Sequence, residues 1–98
     1  MAFSNKYDFE LLKNEAENLV LNELERQLEP FDGQICICND CVVDMAAVAL
    51  NSVKPLYRFS LLGTLYTAQA MTDDAYSESV KSAVGAAIEK VRKNPSHD

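Results

Sequence analysis

Cys36-Ile37-Cys38-Asn39-Asp40-Cys41-Val42-Val43-Asp44-Met45-Ala46-Ala47-Val48-Ala49-Leu50-Asn51 joins a thiol-rich loop to a helix with almost no polar face. A segment of that composition belongs in the middle of a core, so the rest of the chain must fold around it. Only Asp44 and Asn51 interrupt it, and each is placed to satisfy backbone or metal-shell groups. The spacing predicts a helix over 41–53, ended by Pro55, which disfavours helical backbone at Lys54 and forces a corner.

The loop carries all three cysteines of the chain within six residues. Thiolates separated by one or two residues can converge on a tetrahedral zinc without long-range folding. Buried structural thiols and redox chemistry are the competing readings, since Ile35, Ile37 and Val42 are apolar neighbours. Three cysteines leave one zinc position to fill. His97, the only histidine, is the leading candidate if the last helix returns beside the loop. Asp32, Asp40, Asp44, a water molecule or a partner's side chain are alternatives.

Upstream, Phe9, Leu12, Ala16, Leu19, Val20, Leu24 and Leu28 recur at three- and four-residue steps and predict one amphipathic helix from about Asp8 to Glu29. Ser4 or Asp8 would cap it. Pro30, Asp32 and Gly33 would end it and open the cysteine loop. Downstream, a third helix is expected around Leu61 to Met71, with Gly63, Thr64 and Thr67 weakening it. Thr72 then reads as a cap, followed by Asp73 and Asp74 as acids in the first turn, where the helix dipole favours them. The last helix carries Tyr76, Val80, Ala83, Val84, Ala87, Ile88 and Val91 on one face. Ala83, Gly85, Ala86 and Ala87 let another helix approach, either within the chain or across a dimer axis. The pattern as a whole reads as an all-α single domain over 1–98, a small bundle of about four helices.

At 98 residues such a domain buries only about 60 to 65 % of its unfolded surface, so metal binding or dimerisation is an expected aid to stability. Nine basic against fifteen acidic side chains give a net charge of −6, the wrong sign for binding DNA or RNA through phosphates. The sequence lacks a membrane-length apolar run and a secretory leader pattern, and the expectation is a soluble, cytoplasmic protein. An odd cysteine count in a reducing compartment favours metal ligation over disulfides. One histidine, three glycines and no nucleophile triad or glycine-rich phosphate loop read as a non-enzymatic protein.

Cys36-x-Cys38-x-x-Cys41-x-x-Asp44, continuing through Ala47 to Leu50-Asn51 and the Pro55-x-Tyr57 corner, resembles the late-competence protein ComFB family. The resemblance implies a small helical homodimer with a cysteine-ligated structural zinc, held here by Cys36, Cys38 and Cys41. The family's pattern is completed by a further C-terminal cysteine, where this chain offers only His97. The resemblance also implies a signalling or regulatory role in competence, pili or motility, through binding a cyclic dinucleotide such as c-di-GMP or c-di-AMP. The alternative is a ligand-free adaptor. Lys54, Tyr57, Arg58 and Tyr66 supply suitable chemistry for the nucleotide: cations for phosphates and planar rings for bases.

Overall fold

The apolar pattern between Phe9 and Leu28 is helical only in its second half. A computed structural model of the chain, describing residues 2–31, 33–59, 65, 68, 69 and 73–95, has 3-10 turns at Phe3–Asn5 and Phe9–Leu11 and a short strand β1 at Lys13–Asn14. Helix α1 then spans Ala16–Leu28. The expected helix start near Asp8 is therefore corrected by two turns, and Asn14 supplies the reason. Its Oδ1 accepts from the backbone N–H of Ala16 at 3.2 Å and from that of Leu56 at 2.8 Å. The Glu15 N–H donates to the Leu56 carbonyl at 2.8 Å. An Asn side chain that satisfies the helix start and a distant strand together outcompetes further helix. Asp8 does act as a cap, but of the second 3-10 turn, where it accepts from Glu10 N at 3.2 Å. Phe9 and Leu12, expected on the buried face, are about half exposed, and Phe9 clusters with Phe3 and Tyr7.

Pro30 lacks the N–H that another α-helical turn would need, and the chain passes through a 3-10 turn at Glu29–Phe31. Gly33 follows with φ +75°, a left-handed conformation that a side chain would strain. Helix α2 then spans Asn39–Leu50. It starts two residues before the predicted boundary because Cys38 caps it, its Sγ accepting from Cys41 N at 3.5 Å. It stops at Leu50, where Asn51 closes the end by donating from its backbone N–H and its Nδ2 to the Ala47 carbonyl. Cys41, Met45 and Ala49 face the core. Val43 and Ala47 lie on an exposed face, so α2 is only partly enclosed by this chain. Composition alone does not say which chain covers an apolar helix face.

After the Pro55 corner, Tyr57–Arg58 forms strand β2, antiparallel to β1 with Lys13 opposite Arg58 and Asn14 opposite Tyr57. This ribbon corrects the all-α expectation: the fold is predominantly helical with a two-stranded sheet. Most of the helix expected over Leu61–Met71 lies outside the described residues, although Leu65, Ala68 and Gln69 are helical. Helix α3 spans Asp74–Lys93, capped by Asp73, which accepts from Ala75 N at 2.9 Å. Thr72 lies outside the described residues. The Tyr76 hydroxyl donates to the Lys54 carbonyl at 2.7 Å and fixes the start of α3 beside the end of α2.

The core is one cluster: Ala16, Val20 and Leu24 from α1, Cys41, Met45 and Ala49 from α2, Val53 and Leu56 at the corner, and the Val80 to Val91 face of α3. Each fully buried aliphatic side chain there contributes about 1.5 to 3 kcal/mol. Ala83 and Ala87 are buried within the chain, and a Cβ on Gly85 would meet Gln27 Oε1 at 3.4 Å. Those small residues serve intrachain packing, whereas Ala86 is exposed. Among the described residues no helix is long and apolar enough to cross a membrane.

Candidate metal centre and ribbon cleft

The sulfurs of Cys36, Cys38 and Cys41 all lie within 4.8 Å of one another. Three sulfurs around a tetrahedral zinc stand about 3.8 Å apart, given Zn–S bonds of about 2.3 Å, so a small side-chain adjustment suffices. Three thiols form a soft donor set of the kind that zinc accepts. The cluster can hold a metal ion.

The placement follows from local structure. The Phe31 carbonyl accepts from Gln34 N at 2.8 Å and closes the turn around Gly33, which sends Cys36 and Cys38 to the surface. Cys41 is carried inward on the first turn of α2 and is buried. The Cys36 thiol is held below its ordinary pKa, first by the Cys38 backbone N–H and then by the thiols of Cys38 and Cys41. The exposed amides at the start of α2 favour negative sulfur in the same place.

Among the described residues, the metal-competent group consists of the three cysteines alone, and neither Asp40 nor Asp44 belongs to it. Asp32 and His97, the other protein candidates for the fourth position, lie outside the described residues.

The second site sits at the ribbon. A cleft of about 470 Å³ is lined by Lys13, Asn14, Glu15, Asn18 and Arg58 among others. Two cations face each other across the strands, which would be unfavourable without a counter-charge. Glu15 supplies it: Arg58 Nε donates to Glu15 Oε1 at 2.6 Å. That bond, followed by one from Asn18, holds the Glu15 carboxyl below its ordinary pKa of 4.5. A depressed carboxylate contributes stability fully above 4.5, and loses it as pH falls through the folded-state value. Glu15→Gln should therefore flatten the acid limb of a melting-temperature profile below pH 4.5. A limb identical to wild type would show that the pair adds nothing.

Of the four residues expected to bind a nucleotide, Arg58 alone lines this cleft. Tyr57 is exposed and, as its neighbour on a strand, points to the opposite face. Lys54 is exposed at the corner, and Tyr66 lies outside the described residues. Lys13, Asn14 and Glu15 were not singled out by the helical pattern. The signal that marks them is an Asn two residues before the first buried helical position, a capping placement rather than a helix-interior one.

A third feature adjoins the metal centre. An apolar groove of about 510 Å³ runs between Leu21, Leu24 and Leu28 on α1 and Ile37 and Val42 beside the cysteines, with Glu25 and Glu29 on its rim.

The profile of the family described as late competence development protein ComFB matches residues 13–95. The chain belongs to the ComFB family. The match takes in the ribbon, the cysteine loop and α3, and begins just after the aromatic turns of Phe3, Tyr7 and Phe9. The solved structure of the late competence protein ComFB from Bacillus subtilis aligns with a TM-score of 0.68 at 24% identity, covering 87% of this chain and 92% of that one. At that identity the likeness is one of fold. No curated protein matches the chain. The ComFB resemblance read from the cysteine loop and the Pro55-x-Tyr57 corner is thereby established for most of the chain.

Proposed function

We propose that the chain is a non-enzymatic regulatory protein of the cytoplasm, stabilised by a structural zinc at Cys36, Cys38 and Cys41, that receives a cyclic dinucleotide at its ribbon. The observation that carries the nucleotide reading is the way Arg58 is held. Its Nε is committed to Glu15, and among the described residues no hydrogen bond engages either Nη. A guanidinium fixed through Nε keeps a forked pair of donors for a phosphate, and Lys13 opposite it adds a second cation. Tyr57, on the other face of the ribbon, lies outside this cleft, and the phosphate contact does not need it. The cleft volume is within the range of small-ligand sites.

A phosphate there shares or takes over the guanidinium from Glu15. Because Glu15 also bonds Leu56 through its backbone, ligand binding acts on the link between the ribbon and the start of α1. His97 is the proposed fourth zinc ligand. A second copy of the chain is the proposed cover for the apolar residues this protomer leaves exposed, Val43 and Phe59 among them. No enzymatic step, membrane contact or nucleic acid is required.

Calorimetric titration of the zinc-loaded protein with c-di-GMP and c-di-AMP tests the reading. Saturable binding of one of them is expected. Absence of binding for both would retire the receptor role and leave the adaptor reading, which the acid-rimmed apolar groove favours: it suits an amphipathic helix bearing basic flanks.

A further inference from the structure

The cysteine loop combines two features that metal ligation does not require. Cys38 and Cys41 stand three residues apart across the start of α2, with Cys38 exposed and Cys41 buried. A disulfide needs Cβ atoms about 3.5 to 4.5 Å apart, and Cys38, the extended N-cap of α2, already sets its side chain over the first-turn amides beside Cys41. The Cys41 N–H already donates to Cys38 Sγ at 3.5 Å, and the two sulfurs lie within 4.8 Å. The α2 backbone can therefore keep its course while the sulfurs close on each other. Pairing Cys36 with Cys38, across a single intervening residue, would strain the loop instead.

We propose that this loop is an oxidation site for hydrogen peroxide, in which the exposed Cys38 sulfur is the attacking atom and buried Cys41 resolves it to a Cys38–Cys41 disulfide. In the first step the Cys38 sulfur attacks one peroxide oxygen, the O–O bond breaks, and the departing hydroxide takes up a proton as water. Sulfur is oxidised by two electrons to a sulfenic acid, and peroxide is reduced. In the second step the Cys41 sulfur attacks the sulfenic sulfur. The S–S bond forms, the S–O bond breaks, and the leaving hydroxide takes the Cys41 proton as a second water.

The disulfide removes two of three thiolate donors, so oxidation discharges a bound metal. Ile37 and Val42 flank these cysteines and line the apolar groove, so the change also reshapes that groove. The metal-release half rests on the zinc reading, whereas the disulfide itself does not.

The test treats zinc-loaded and chelator-stripped protein with hydrogen peroxide, then alkylates, maps peptides and follows zinc with a chromogenic chelator. A Cys38–Cys41 cross-linked peptide is expected, leaving Cys36 alkylatable, with zinc release tracking disulfide formation and both reversed by dithiothreitol and fresh zinc. Cys36→Ser should still form the cross-link, and Cys41→Ser should leave a sulfenic acid that a dimedone probe captures at Cys38. Three alkylatable thiols after treatment, irreversible sulfinic acid without a cross-link, or a link through Cys36 would overturn the proposal. A cross-link in the stripped protein together with failure to load zinc would retire the metal reading and keep the oxidation site.

Discussion

Cys38→Ser should lower the melting temperature of the zinc-loaded protein by about 10 to 25 °C, the equivalent of about 2 to 4 kcal/mol in a domain of this size. Serine is among the best helix N-caps, so the substitution keeps a side chain able to accept from Cys41 N while removing a thiolate. The loss therefore reports metal ligation rather than a frayed α2. Stripping zinc should bring wild type down to the variant, with the two apo proteins melting within about 2 °C of each other. A zinc-loaded variant that melts with wild type would end the structural-zinc reading. A gap that persists after stripping would assign Cys38 a purely packing or capping role.

Arg58→Ala should weaken cyclic dinucleotide binding by about 10- to 150-fold, since a hydrogen bond to a charged group contributes about 1.5 to 3 kcal/mol. Arg58→Lys should restore only part of it, because an ammonium cannot present the forked donors that a guanidinium held through Nε leaves facing the cleft. Glu15→Gln separates the two roles of this pair. It releases the guanidinium from its counter-charge, so it should bind nucleotide at least as tightly as wild type while weakening the tie between β2 and α1. Affinity unchanged in Arg58→Ala would remove the ribbon cleft from the ligand site. A fall in Glu15→Gln equal to that in Arg58→Ala would show that the ion pair shapes the ribbon rather than that Arg58 meets a phosphate.

The parts of this fold that were legible in the sequence are those governed by local chemistry. Asn51 closes α2, Gly33 takes the one left-handed turn among the described residues, and α3 starts at the acid pair as expected, although its cap is Asp73 and not the Thr72 that the sequence suggested. The three thiols converge because they are only one and two residues apart, so no long-range packing is needed to bring them together. What the sequence hid depends on distant partners. Asn14 ends the apparent first helix only because Leu56, 42 residues away, offers its N–H. The ribbon is two residues per strand, too short for a period-two pattern to register. The cleft was half visible: Arg58 stood out as a cation near planar rings, but Lys13 joins it through strand register that helical periodicity cannot show. The apolar face of α2 read as fully buried because hydropathy does not distinguish burial by this chain from exposure of Val43.

Native mass spectrometry of the purified protein, alone and with c-di-GMP or c-di-AMP, reads metal, assembly and ligand in one spectrum. A dimer with one zinc per chain that gains discrete nucleotide mass is expected, as is an Arg58→Ala dimer that keeps its zinc and loses the gain. A zinc-bearing dimer that takes up neither nucleotide would contradict the receptor role, and a metal-free monomer would contradict the metal centre as well.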